Sequence, residues 1–419
     1  MRILVNDYAG HPFQLQLSRS LARDGHTVLH TYFGAYQTPK GRTDVDAEMA
    51  DHLKIEAVTI PGTFKQHSAL SRRKADHAYG VALCRRVEEF QPNIVISANT
   101  PLDAQKQLLK ATHRNGGRFV FWLQDVLSVA IEFVLRKKGI PFAGIAGSIY
   151  SRLERSLLQQ SDAIVCIAPE FLERLRKWGI DDRKVSVIEN WSPLDEIVPQ
   201  DRDTAWAAEQ SLGSKLRLIY SGTLGMKHRP ELLLELARDL QGREDVAIVV
   251  VAQGAGADWL KKQDCPAILR ILPFQPYERH AEVLASADVL ITLLDEDCGA
   301  FAVPSKTLAY MCAGRPSLVA APPDNLTSRI IERAGAGVAT APTVPAFLAG
   351  ATRLLGDPEL RTTSGARARA YASSTFAIES IRDHFLAAFE SALQQPATIH
   401  PQNARAASPT VIADSLRQS

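Results

Sequence analysis

Several common protein classes are excluded by what this sequence lacks. Five cysteines are scattered along its 419 residues, and no cluster of Cys and His has the spacing of a metal site. No apolar run reaches the roughly 18 residues that a membrane-spanning helix needs. The N-terminal MRILVNDYAG has one basic residue and no cleavage pattern, so we expect a strand there and no signal peptide. These absences predict a protein of the reducing cytoplasm that binds no metal.

A charge of one sign is also missing, and so is the usual dinucleotide motif. The formal net charge is only +2, which argues against nucleic acid as a general partner. The apolar run Arg2–Asn6 opens a strand–helix–strand pattern, but the GxGxxG loop of dinucleotide-binding domains does not follow it. Neither nucleic acid nor a dinucleotide cofactor is therefore predicted.

Apolar strand patterns alternate with amphipathic helix patterns along most of the chain. With 46% hydrophobic and 22% charged residues, the composition is that of a globular protein, and 419 residues exceed one ordinary core. Residues 192–203 carry two prolines and no periodicity, which predicts a linker. We predict an α/β fold with domains at 1–198 and 199–374, a closing helix at 375–395 and a disordered tail at 396–419.

The stretch 289–321 is the first candidate for a ligand site. It is predicted to form a strand, an acidic loop, a helix over Pro304–Met311 and a second strand. Proline suits the first turn of a helix, where the N–H groups of Ser305, Lys306 and Thr307 have no partner inside the helix. These groups, the helix dipole and the charge of Lys306 favour an anion site. The alternative is an ordinary β–α–β unit with an incidental lysine.

Two glycine-containing loops follow other predicted strands of the second half. The first loop contains Gly222, Thr223 and Lys227, and this combination after a strand is typical of a phosphate-binding loop. The second contains Gly254 and Gly256, which permit either close packing or the close approach of a ligand.

Two loops of the first half also follow predicted strands. Gly10 and His11 come after the first strand, where a glycine lets a ligand approach the backbone. His11 either contacts the substrate or caps the loop. Asp125 follows the strand Arg118–Leu123 and is predicted to serve chemistry on the acceptor side of a cleft. The alternative for Asp125 is a cap for the helix that begins near Leu127.

Residues 131–155 combine apolar bulk with a cationic cluster. Apolar residues such as Ile131 and Phe133 precede the run Arg136–Lys138, and further apolar residues and arginines follow. This mixture favours a helix that lies peripherally in the interface of the cytoplasmic membrane. The alternative is a core between helices with a solvated basic rim.

Three segments in the second half carry a family resemblance. The segment Asp288–Ile291, followed by Val303–Lys306 and Tyr310–Pro316, resembles the donor-binding segment of glycosyltransferase family 4 (group 1). Shorter matches add to the likeness at Asn6–His11, Ser221–Leu224, Gly254–Gly256, Asp324-Asn325 and Gly335–Gly337. The resemblance implies a GT-B fold, in which two Rossmann-like domains face a cleft and a C-terminal helix closes back on the N-terminal domain.

The resemblance also implies an activity. It implies the retaining transfer of a hexosyl-type sugar from a nucleotide diphosphate sugar to a glycan or lipid-linked acceptor in polysaccharide biosynthesis, with no cofactor or obligatory metal. Lys227 and Lys306 would neutralise the departing diphosphate, and Asp125 and His11 complete the predicted catalytic group. The predicted donor-binding residues are Gly10, Gly222, Thr223, Gly254, Gly256, Pro304, Ser305, Thr307 and Asn325.

The sequence departs from the family pattern at two places. Many relatives carry a Glu-x7-Glu pair, and the corresponding positions here are Phe301 and Ala309. In the upstream loop, this chain has Thr223 at the position where relatives commonly have an arginine. His228 or Arg229 would then have to supply the second positive charge. These departures keep two alternatives open: a non-catalytic scaffold subunit of a polysaccharide assembly complex, and a sugar-nucleotide epimerase.

Overall fold

Two parallel β-sheets, each covered by helices, form the protein. The computed structural model describes residues 1–36, 40–60, 69–137, 139, 143–298 and 305–395. Every strand pairing in both sheets is parallel. Such sheets need helical crossovers between strands, which explains the strand and helix alternation in the sequence.

The first sheet has seven strands in the order β3-β2-β1-β4-β5-β6-β7. The strands are β1 (Arg2–Asp7), β2 (Thr27–Phe33), β3 (Leu53–Val58), β4 (Ile94–Ala98), β5 (Arg118–Leu123), β6 (Ala163–Cys166) and β7 (Val185–Val187). The helices are α1 (Pro12–Arg23), α2 (Ala69–Phe90), α3 (Leu102–Arg114), α4 (Leu127–Lys137), α5 (Ala143–Gln160) and α6 (Phe171–Lys177). Every residue of β4 is buried, because helices cover both faces of the sheet.

The second sheet has six strands in the order β10-β9-β8-β11-β12-β13. The strands are β8 (Leu216–Ser221), β9 (Val246–Val251), β10 (Leu269–Leu272), β11 (Val289–Leu293), β12 (Ser317–Ala320) and β13 (Gly337–Thr340). The helices are α7 (Ala205–Glu209), α8 (Glu231–Asp239), α9 (Ala255–Leu260), α10 (His280–Ala285), α11 (Lys306–Cys312), α12 (Leu326–Ala334), α13 (Val344–Gly356), α14 (Pro358–Thr375) and α15 (Ile378–Gln394).

Both sheets reverse their strand order beside their first strand. The reversal lies between β1 and β4 in the first sheet and between β8 and β11 in the second. In open parallel sheets this reversal opens a crevice at the carboxyl ends of the strands, where ligands bind. The predicted α/β fold with two Rossmann-like domains is confirmed.

The last helix, α15, packs on the first sheet although it follows the second in sequence. The Phe385 ring lies 4.7 Å from the Trp122 ring of β5, and Arg118 donates to the Gln395 carbonyl oxygen. The preceding helix, α14, packs on the second sheet, where Arg369 donates to the Cys312 carbonyl oxygen. The chain therefore crosses from one sheet to the other between these two helices.

Two further expectations concern segments 131–155 and 396–419. The first segment falls on α4 and α5, and the second lies outside the described residues. Within the ranges that the structure describes, no helix has the length and apolar character that crossing a bilayer requires.

Candidate functional site

The loops after β8 and β11 bring the two predicted lysines to one edge of the second sheet. Lys306 Nζ donates to the Tyr220 hydroxyl and, over 3.3 Å, to the Thr223 carbonyl oxygen, and it lies 4.0 Å from the Tyr220 ring centroid. Gly222 leaves room for this side chain, since a Cβ there would lie 3.3 Å from Lys306 Cε. Burial and then the charge of Lys227 lower the pKa of Lys306 to about 7. An anion bound here would favour the charged ammonium again.

Neither His228 nor Arg229 supplies the positive charge that an arginine at position 223 would provide. His228 Nδ1 accepts the backbone N–H of Gly225 at 2.9 Å, so the neutral ring carries its proton on Nε2. Burial and the two neighbouring lysines lower the pKa of His228 to about 2. Arg229 donates to the Pro342 carbonyl oxygen and to Glu231. His228 is therefore a neutral donor, and Arg229 is already held by other groups.

The start of α11 differs from the prediction. The helix begins at Lys306, two residues later than predicted, and Pro304 lies outside the described residues. Ser305 takes the N-cap position and is exposed, without a side-chain hydrogen bond to the helix. The Thr307 hydroxyl is buried and lies 2.9 Å from the Thr292 hydroxyl. The Thr307 side chain is thus engaged with β11, and only its backbone N–H is left for an anion.

Gly254 and Gly256 have a packing role. A Cβ on either residue would come within 2.9 Å of the Leu224 carbonyl oxygen. The backbone N–H of Gly256 donates to that same oxygen at 2.8 Å. The two glycines thus hold the β9 loop against the β8 loop, and their contact with a donor stays a prediction.

Of the two positions where many relatives carry glutamate, only Ala309 lies in the described part of the chain, and alanine has no side-chain hydrogen-bond acceptor. Ala309 is 9% exposed within α11, and Phe301 lies outside the described residues. Asn325, a predicted donor ligand, caps α12, because its Oδ1 accepts the Thr327 N–H at 3.0 Å. Its predicted role in donor binding therefore competes with a structural one.

The edge of the first sheet is built around a buried carboxylate. Asp7 ends β1 and is 0% exposed, and its Oδ1 lies 3.2 Å from His11 Nδ1. Asp7 also accepts the backbone N–H groups of Ala9 and His11. Gly10 adopts a φ of 77°, and a Cβ there would lie 2.7 Å from Lys40 Cδ. The positive φ thus favours glycine at this position, and the missing Cβ leaves room for the Lys40 side chain.

Asp125 connects the two edges electrostatically. Burial raises its pKa, and the charges of Lys227 and His11 oppose that rise. The cap of α4 comes instead from Glu154, whose carboxylate accepts the N–H groups of Leu127 and Ser128. The alternative prediction of Asp125 as a helix cap is therefore wrong. The charges of Lys227 and His11 thus both act on Asp125, and the charge of Lys227 also acts on Lys306.

A crevice between the domains opens beside α11. Its lining, mostly apolar, comes from the ends of β6 and β7 and from the starts of α11 and α12. The lining residues are Ile167, Glu189, Asn190, Thr307, Leu308, Leu326, Thr327 and Ile330. Both domains therefore contribute to the space next to the predicted phosphate site.

Sequence reasoning missed three residues of this site: Asp7, Tyr220 and Asn99. Asp7 and Tyr220 hold the predicted residues His11 and Lys306, and the Asn99 amide lies 3.5 Å from His11 Nδ1. All three lie at or next to the carboxyl end of a buried strand. That position, which drew attention to Asp125, was the signal that could have found them.

Comparisons with known proteins agree with this fold. Residues 10–191 match the family model described as glycosyl transferase 4-like domain. This segment, the larger part of the first domain, is similar to a glycosyl transferase 4-like domain. The match confirms the resemblance to glycosyltransferase family 4, and no curated protein matches the chain.

Solved structures of glycosyltransferases share the whole GT-B fold. Sucrose-phosphate synthase from Thermosynechococcus elongatus has a TM-score of 0.72 at 13% identity, covering 93% of this chain and 98% of that one. HepE of Anabaena, solved with UDP and glucose, has a TM-score of 0.67 at 14% identity, covering 93% and 100%. WaaG, a glycosyltransferase involved in lipopolysaccharide biosynthesis, has a TM-score of 0.66 at 17% identity, covering 92% and 98%. The glycosyl transferase 4-like domain and the second sheet thus form one GT-B unit.

Proposed function

We propose that this protein is a retaining glycosyltransferase that moves a sugar from a nucleotide diphosphate sugar to a glycan or lipid-linked acceptor in polysaccharide biosynthesis. The observation that carries the proposal is that the Tyr220 hydroxyl and the Thr223 carbonyl oxygen hold Lys306 at the end of β8. The charge of Lys227 acts both on Lys306 and on the buried Asp125 of the first sheet. Cations on one side and polar acceptors on the other suit the departure of a diphosphate beside an incoming hydroxyl.

The reaction breaks the bond between the anomeric carbon and the β-phosphate oxygen. The nucleoside diphosphate leaves with the electron pair, the acceptor oxygen bonds to the same face of the anomeric carbon, and the proton of its hydroxyl passes to the departing phosphate. Lys306 and Lys227 would stabilise the negative charge that grows on this phosphate. We assign the neutralisation to these two side chains, with the neutral His228 as a further hydrogen-bond donor.

The donor side can be tested by thermal unfolding of the purified protein with UDP, GDP or ADP. A ligand that binds only the folded state raises the unfolding midpoint by mass action. We expect one nucleotide to raise the midpoint of the wild type and to have no such effect on Lys306→Ala. Lys54→Ala is the matched control, because the Lys54 side chain is 73% exposed on β3.

The alternatives give different results in the same experiment. A scaffold subunit would show no shift with any nucleotide, although the protein is folded. An epimerase would convert a free UDP-sugar without any acceptor, whereas a glycosyltransferase would release UDP in step with acceptor glycosylation. The proposal would be overturned by the absence of a shift with every nucleotide, or by conversion of a UDP-sugar without an acceptor.

We further propose peripheral contact with an anionic membrane through α5. Ile145 and Ile149, one helical turn apart, are 60% and 58% exposed, and Arg152 follows as an exposed cation. An apolar stripe beside basic residues suits the interface of a bilayer. We expect co-flotation with vesicles of phosphatidylglycerol, and its loss in Ile145→Ser/Ile149→Ser. Equal flotation of both proteins would contradict this part of the proposal.

A further inference from the structure

Asp7 is a buried carboxylate whose partners all belong to one loop. It is 0% exposed, and it accepts the backbone N–H groups of Ala9 and His11. Its third partner is the His11 ring, at 3.2 Å from Oδ1 to Nδ1. The carboxylate therefore holds both the backbone and the side chain of the histidine that faces the cleft.

The chemistry of this contact determines the tautomer of His11. An ionised carboxylate only accepts hydrogen bonds, so a proton on the ring nitrogen that faces it satisfies this contact. The Asn99 amide nitrogen, a competing donor, lies farther from the same Nδ1, at 3.5 Å against 3.2 Å for Asp7 Oδ1. When His11 is neutral, that proton is on Nδ1, and Nε2 has a free lone pair. About a third of the His11 side chain, 32%, stays exposed, so the ring can still be reached by a ligand.

Charged groups on several elements face this histidine. Burial lowers the pKa of His11, but Asp7 and Asp125 outweigh burial and Lys40, so that the pKa is raised overall. Burial would raise the pKa of Asp7, but His11 and then His30 lower it below its usual value. Asp7 thus stays ionised at neutral pH, as its role as an acceptor requires.

We propose that Asp7 is a positioning residue that keeps the proton of His11 on Nδ1 and leaves Nε2 to accept a hydrogen bond from a substrate hydroxyl in the cleft. The substrate part rests on the proposed glycosyltransferase function. The tautomer part is a property of the free protein and can be measured without any ligand. A carboxylate that only shaped the loop backbone would not control the ring.

The chain contains a matched pair for comparison. Asp162 and His113 are 3% and 4% exposed, and Asp162 Oδ2 lies 2.8 Å from His113 Nε2. The same argument assigns the proton of neutral His113 to Nε2, the opposite nitrogen. One spectrum of the wild type therefore holds two Asp–His pairs with opposite expected tautomers.

The test is nitrogen NMR of the protein labelled with ¹⁵N-histidine, titrated with pH and assigned with His11→Gln and His113→Gln. We expect Nδ1–H for neutral His11 and Nε2–H for neutral His113. In Asp7→Asn the pKa of His11 should fall, and the neutral ring should shift toward Nε2–H. Asp162→Asn should leave the His11 signals unchanged.

Two results would overturn the proposal: a neutral wild-type His11 with its proton on Nε2, or a His11 that titrates alike in wild type and Asp7→Asn. The first result needs no variant, so it stands even if Asp7→Asn fails to fold.

Enzyme kinetics give a second, independent test. Asp7→Asn should keep the midpoint shift with UDP, lower kcat by roughly tenfold or more, and move the acid limb of the pH profile to lower pH. A wild type whose midpoint shifts with none of UDP, GDP or ADP would count against the proposed function and would leave the tautomer result intact.

Discussion

The two sheet edges that face the cleft have the same topology but opposite electrostatics. The first sheet presents Asp7 and Asp125 around His11. The charges of these two carboxylates raise the pKa of His11 against the effect of burial, and burial raises the pKa of Asp125. The second sheet presents Lys227 and Lys306, and the pKa of Lys306 is lowered to about 7. Parallel strand ends thus provide a place for ligands, whereas the side chains after each strand decide what kind of ligand fits.

The two edges also differ in how their functional side chains are held. Lys306 contacts the hydroxyl and ring of Tyr220 from the neighbouring strand, so its position depends on the packing of α11 against β8. His11 is held by Asp7, only four residues away in the same loop. The cationic edge is therefore assembled from distant segments, whereas the loop of the first edge is held by local contacts. Changes at the first edge should lower turnover alone, whereas changes at the second edge should also weaken nucleotide binding.

The largest effect is expected from Lys306→Ala. Removing a group that stabilises the departing phosphate should lower kcat by about 10²- to 10³-fold. The loss is measured as the rate at which nucleoside diphosphate is released from the sugar donor whose nucleotide raises the unfolding midpoint. Lys54→Ala is the control. Wild-type turnover in a folded Lys306→Ala protein would break the assignment of the second edge.

A smaller effect is expected from Asp125→Asn on the opposite edge. The substitution removes a charge that faces His11 and Lys227, so kcat should fall by roughly tenfold or more. The midpoint shift with UDP should persist, because the diphosphate site belongs to the other domain. Loss of the UDP shift with unchanged kcat would reverse the roles that we assign to the two edges.

The pH dependence of UDP binding sharpens the electrostatic difference. Lys306 must be charged to pair with a phosphate, and in the free protein it loses its proton as the pH rises through about 7. The Kd for UDP should therefore rise by up to about tenfold for each pH unit above 7, since binding takes up one proton. His228 stays neutral throughout, with its pKa at about 2. Isothermal titration of wild type and Lys306→Arg tests this, because arginine keeps its charge and should flatten the dependence. A pH-independent Kd in the wild type would contradict it.

The smallest effect is expected from restoring the family's second cation. Thr223 is exposed beside Lys306, so Thr223→Arg should place a guanidinium within reach of the same phosphate. Exposed charge pairs contribute up to about 1 kcal/mol, so UDP should bind at most about fivefold more tightly. Thr352→Arg, on the exposed face of α13, is the matched control, and equal gains in both variants would indicate a general charge effect.

Much of the fold follows from the sequence pattern alone. The predicted strands Arg118–Leu123 and Val289–Leu293 have the same bounds in the structure, because parallel strands buried on both faces appear as continuous apolar runs. Short or irregular elements were less predictable. The helix α7 falls where no helix was predicted, and the start of α11 was wrong by two residues.

The candidate site was predictable only in part. Position after a strand drew attention to Asp125, His11 and Lys227, and the predicted start of a helix drew attention to Lys306; their catalytic roles stay predictions. These positions could not show that His228 is neutral or that Arg229 is held by Pro342, because the charge of Lys306 beside His228 and the Pro342 carbonyl oxygen come from segments distant in sequence.

The sequence by itself determined the two-domain α/β fold and the loops that carry the chemistry, because hydrophobic periodicity and the ends of strands are local properties of the chain. Only the tertiary structure decided the charge and tautomer of each group in those loops. Burial, the carboxylate that faces His11 and the tyrosine that holds Lys306 act over a few ångströms, and Tyr220 reaches Lys306 from a segment distant in sequence. Protonation states respond to such distances, and a sequence pattern does not contain them.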